Sequence, residues 1–133
     1  MGIYTENGYL RKHDSRYEGN LTIDGVNISP IEGMYFKQDN KSYLWIKRKP
    51  MLVYDEKTMS YKTKIREPRW ECYLEKQINS SIHYRGTFMF LRFKYSIVGI
   101  YDSSLERLNL YVDRLPMDAQ TIINNINNNN KNG

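Results

Sequence analysis

One stretch, Leu21-Thr22-Ile23-Asp24-Gly25-Val26-Asn27-Ile28, constrains the fold more than any other in the chain. Its Asp-Gly pair is flanked on both sides by alternating apolar residues. Both turn positions of a two-residue hairpin need positive φ, which suits Asp and Gly. Ile23 then opposes Val26 and Leu21 opposes Ile28. Four apolar side chains share one face, while Thr22 and Asn27 share the other.

The same period of two recurs downstream. Met34 to Lys37 begins a short strand, and Gln38-Asp39-Asn40-Lys41 has turn composition. From Ser42 to Lys49, Leu44 and Ile46 lie on one face, with Tyr43, Trp45, Lys47 and Lys49 on the other; Pro50 ends or edges the strand. Met51 to Tyr54 and Tyr61 to Arg66 flank a polar loop and form a second hairpin, in which Tyr61, Thr63 and Ile65 alternate with Lys62, Lys64 and Arg66. Residues 68 to 78 fit a strand or a short helix; Pro68 suits a first helical turn, and the helix is favoured. Gly86 opens one long strand to Tyr101, bent near Ser96 or Gly99, with Thr87, Met89, Tyr95 and Ile97 on one face and Phe88, Phe90, Arg92 and Lys94 on the other. Arg107 to Leu115 turns Leu108, Leu110 and Val112 inward. Asp118 caps a short C-terminal helix bearing Ala119, Ile122, Ile123 and Ile126.

The expected fold is therefore mainly β, a small antiparallel barrel or sandwich with one or two short helices, one of them near the C-terminus. Residues 1 to 19 read as an extended arm, 20 to 126 as a single domain and 127 to 133 as a polar Asn-rich tail. At 133 residues, with 40% apolar residues and 18 aromatics of which 12 are Tyr, the chain can close a real core. No apolar run reaches the length of a membrane-spanning helix, so no membrane partner is expected. The N-terminus lacks the pattern of a secretion signal.

Catalytic chemistry finds little to work with. The single cysteine, Cys72, can form neither an intramolecular disulfide nor a Cys-rich zinc site. Cys72 with His83 would make a nucleophile pair only if the fold joined them; a core thiol and a rim histidine are the simpler reading. His13 sits beside Asp14 in the arm. Asp55-Glu56-Lys57, with Glu32 or Asp39, has the residue types of a metal-dependent nuclease but falls in a loop. No phosphate-binding loop, zinc-protease helix or nucleophile-elbow motif occurs. No catalytic residue, metal or cofactor is expected.

Charge is more informative. Residues 41 to 69 hold nine Lys and Arg against three acids, so the middle of the chain carries the whole +5 excess. Tyr43, Trp45, Lys47, Arg48, Lys49, Lys62, Lys64, Arg66, Phe88, Phe90, Arg92 and Lys94 are the candidate contact residues. Rings beside cations are what sheet-based single-strand nucleic-acid binders use. Outward cations equally protect sheet edges, and outward aromatics equally make protein interfaces.

The leading expectation is a non-enzymatic structural or protein-interaction module, binding a protein partner or a second copy. A single-stranded nucleic-acid-binding barrel is the alternative. Ala occurs once, while Ile, Tyr, Asn and Lys abound, as in translated AT-rich DNA. That bias associates the chain with a phage particle or mobile element. The expected setting is the cytoplasm, or the virion if a phage encodes it.

Overall fold

The computed structural model describes residues 6–116. Their strands are β1 (Gly8–His13), β2 (Arg16–Ile23), β3 (Val26–Asn27), β4 (Ile31–Gln38), β5 (Lys41–Arg48), β6 (Met51–Asp55), β7 (Ser60–Lys64), β8 (Glu71–Lys76), β9 (His83–Phe90), β10 (Phe93–Asp102) and β11 (Arg107–Arg114). No helix occurs among the described residues.

Antiparallel pairing runs β1-β11-β10-β9-β8-β5-β4-β2, and β1 also pairs with β2, so eight strands close into a barrel. Closure pairs the edges that an open sheet would expose. The short β3 pairs antiparallel with the end of β2. The ribbon β6–β7 is inserted between β5 and β8 as a separate two-stranded sheet.

The Asp-Gly turn forms as its sequence requires. Asp24 and Gly25 have φ of 46° and 79°, and Ile23 pairs with Val26 and Thr22 with Asn27. Alternation along β5 also holds, with Leu44 and Ile46 buried. The ribbon expected from Met51 to Arg66 is present as β6–β7.

Four expectations are corrected. Residues 8 to 19, read as part of an arm, supply β1 and the start of β2 and close the barrel. The segment at 68 to 78 takes the strand reading, not the helix: Trp70, Cys72 and Leu74 are buried at period two. The long strand from Gly86 is two strands, because the chain reverses at Leu91 and Arg92, with φ of 47° and 80°. Phe88 and Phe90 therefore point into the core rather than outward with Arg92 and Lys94. Arg48, a candidate contact residue, falls by alternation on the side of Leu44 and Ile46 at the end of β5. The expected C-terminal helix and the polar tail lie outside the described residues.

An eight-stranded barrel has an interior that side chains can fill. Leu10, Leu21, Ile31, Leu44, Ile46, Leu74, Ile97 and Leu110 are fully buried there. Each such burial contributes about 1.5–3 kcal/mol. At one end Tyr17, Tyr35 and Tyr84 cluster: the hydroxyls of Tyr35 and Tyr84 are 2.6 Å apart, and Tyr17 meets Tyr35 edge-on with centroids 5.2 Å apart. At the other end Arg48 donates from Nε to the Ile28 carbonyl and from Nη1 to the Pro68 carbonyl, both at 3.0 Å.

The Asp24 turn is tied down at that second end. Its Oδ2 accepts from the Tyr95 hydroxyl and from Arg114 Nη2, each at 2.6 Å. The Tyr95 hydrogen bond, then Arg114, holds the Asp24 carboxyl below its ordinary range. A depressed folded-state value stabilises the fold above the unfolded carboxylate pKa, and that contribution disappears as pH falls through the folded value. Asp24→Asn keeps a turn residue that tolerates positive φ but removes the charge. We expect its Tm to be lower than wild type at neutral pH, by a modest amount because the ion pair is half-exposed. The difference should close when melting is repeated below the carboxylate range; a gap independent of pH would contradict the assignment.

Candidate interaction face

The exterior of β4, β5 and β8 carries the most organised surface chemistry. Register places Phe36 beside Tyr43, Met34 beside Trp45, and Trp45 beside Tyr73. Their side chains share the outer face because their neighbours Tyr35, Leu44, Ile46, Cys72 and Leu74 turn to the interior side. Phe36 stacks on Tyr43 at 5.2 Å and meets Tyr73 edge-on at 5.9 Å. Tyr73 stacks on Trp45 at 6.2 Å with planes 10° apart. Four rings from three strands thus form one continuous array, with Tyr73 half-exposed at its centre.

Ion pairs frame this array. Lys41 Nζ lies 3.4 Å from Glu75, and Lys47 Nζ lies 3.8 Å from Glu32 and 4.7 Å from the centre of the Trp45 ring. Lys49 pairs with Glu18 at 2.9 Å, and that contact lowers the Glu18 carboxyl pKa. Two outward lysines are therefore matched by two carboxylates on the adjoining β2 and β4.

The other candidate residues scatter. Lys62 pairs with Asp55 at 2.8 Å on the ribbon, and Arg66 Nε donates to the Lys49 carbonyl at 2.8 Å. Lys64 sits on the ribbon, Arg92 in the β9–β10 turn and Lys94 on β10; all three are exposed, and they do not gather. Phe88 stacks against Tyr95 inside the barrel. The sequence reading missed Phe36, Met34 and Tyr73. Reading β8 at period two would have turned Tyr73 outward.

The proposed catalytic groupings are not brought together. Cys72 is buried on the inner face, and His83 lies on the outer face, with Nδ1 2.7 Å from the Ser80 hydroxyl. Burial pushes the Cys72 thiol up to about 12. Thiolate is the reactive form, so at neutral pH the native protein should not react with a thiol reagent, whereas the unfolded chain should take up one equivalent. Rapid labelling of the native protein would show Cys72 to be accessible. Among the described residues no group of three His, Cys, Asp or Glu is placed to hold a metal ion.

Comparison with protein-family models, curated proteins and solved structures finds no match.

Proposed function

We propose that the protein is a non-enzymatic interaction module that docks another protein, or a second copy of itself, through the outer face of β4, β5 and β8. The observation that carries this reading is the Phe36–Tyr43–Tyr73–Trp45 array, half-buried on the barrel wall with Tyr73 exposed at its centre, and rimmed by paired charges. Interface centres are enriched in aromatic residues and Met and depleted in free charge, with a polar rim that excludes water. A barrel with a filled interior has its wall as its contact surface. An accessory role in a phage particle or mobile element is in keeping with a module that acts by assembly.

A single-strand binder would leave rings open to bases and adjacent cations open to phosphates. Here the rings stack on one another, and Lys47 and Lys49 face carboxylates. Oligonucleotide titration across a salt series, with sedimentation of the protein alongside, tests the reading. We expect weak oligonucleotide binding and a protein assembly that Tyr73→Ala disrupts. Submicromolar binding of single strands that falls steeply with salt and is lost in Tyr73→Ala would assign this face to nucleic acid instead.

A further inference from the structure

Next to the aromatic array, the wall and the segment following β7 enclose a groove of about 670 Å³. That is within the range of sites that take a side chain or a small ligand. Lys47, Arg48, Arg66 and Arg69 line it, and Glu71 is the one carboxylate among its lining residues. Both tryptophans of the chain, Trp45 and Trp70, line it too.

The indole Nε1 groups of Trp45 and Trp70 are buried, so neither N–H opens to the groove. The acceptor this groove lacks is one for its arginines. Arg48 spends Nε and Nη1 on backbone carbonyls, and Arg66 spends Nε on another. Burial, and then the neighbouring Arg66 charge, lowers the Arg48 pKa, with Glu67 acting in the opposite direction. Arg69 is exposed, and among the described residues nothing accepts a hydrogen bond from it.

We propose that this groove receives an acidic side chain from the protein that docks on the aromatic face, the Arg69 guanidinium supplying the donors. The inference rests on the docking role proposed above and names the chemistry of the partner. Trp45 and Lys47 belong to both the array and the groove, so one partner surface covers both. Planar guanidinium groups bind carboxylates through paired hydrogen bonds. Nucleic acid would want cations in a row along a strand, whereas this charge is concentrated in one recess.

Tryptophan fluorescence reads the site directly, because both tryptophans line it. The full chain would be titrated with a blocked hexaglutamate peptide, a blocked hexaglutamine peptide, a thymidylate hexamer and inorganic phosphate. We expect a saturable change with hexaglutamate and none with hexaglutamine. Arg69→Ala should raise the hexaglutamate Kd by about tenfold or more, the loss expected for a charged hydrogen bond. Lys64→Ala, an exposed cation outside the groove, should leave it unchanged. No saturable change at millimolar hexaglutamate, or equal affinity in Arg69→Ala, would overturn the proposal. Tighter saturation by the thymidylate hexamer or by phosphate would overturn the acidic-protein assignment in favour of phosphate. Tyr73→Ala separates the two readings: it should abolish protein docking while the peptide signal persists. Peptide binding with no docking would sink the docking role alone, and docking without peptide binding would sink the groove alone.

Discussion

Gly86→Ala is expected to destabilise the barrel by about 3 kcal/mol, the upper end of the usual cost of overpacking. Gly86 lies where β8 and β9 approach across the wall. A Cβ there would be driven into the backbone carbonyl oxygen of Tyr73, and would also stand 3.1 Å from Leu74 Cδ2 and 3.2 Å from Cys72 Sγ. The nearest obstacle is main chain, so no rotamer change relieves it, and β8 would have to move off β9. Tyr73 would move with it, so the aromatic array should loosen too. Urea unfolding with Thr87→Ala as the neighbouring control checks this; the control should stay within about 0.5 kcal/mol of wild type, as surface changes usually do. A Gly86→Ala protein as stable as wild type would show that the wall has slack at this point.

Tyr73→Ala is expected to weaken docking at least about 30-fold while leaving the fold intact. Central aromatic anchors typically cost about 2 kcal/mol or more on truncation, and about 1.4 kcal/mol is a factor of ten in Kd. Tyr73 is the right residue to cut because it touches both Phe36 and Trp45, which do not touch each other in the array. Its side chain is outside the core, so thermal unfolding should change little. Tyr101, 38% exposed at the far end of β10, is the matched control. Equal losses from Tyr101→Ala and Tyr73→Ala, measured by sedimentation or by titration of the partner, would mean that no particular face carries the binding.

Local patterns on one strand or one tight turn were legible in the sequence. The Asp24-Gly25 turn and the alternation of Tyr43 to Lys47 needed no knowledge of distant neighbours. Other features were hidden for identifiable reasons. Leu91 and Arg92 adopt positive φ without Gly or Asn to announce it, so the turn between β9 and β10 has no compositional signal. Missing that turn reverses the parity of the strand that follows. The inward set is Phe88 and Phe90, then Tyr95 and Ile97, and no single period of two connects these pairs. Pro68 and the apolar residues after it fit a helix locally; pairing of Ile46 with Cys72 and Leu44 with Leu74 decides for a strand.

The candidate face shows the same division. Tyr43, Trp45 and Lys47 read as one face because they lie on one strand. Phe36 and Tyr73 join them only through register across β4, β5 and β8, and β8 reaches β5 by skipping the whole β6–β7 ribbon. Charge misled for a related reason. The nine cations between residues 41 and 69 look unopposed along the chain, yet Lys47 and Lys49 find Glu32 and Glu18 from strands that precede them by many residues. What remains undercompensated is the recess around Arg66 and Arg69, where the groove lies.

The most direct test of the docking account is a photo-crosslinking amino acid placed at position 73, and at position 101 as control, in the full chain expressed in the cells that naturally produce it. The account predicts covalent adducts to protein, whether a second copy or a distinct partner, from position 73 and not from position 101. Adducts to nucleic acid at position 73, or the same adducts from both positions, would contradict it.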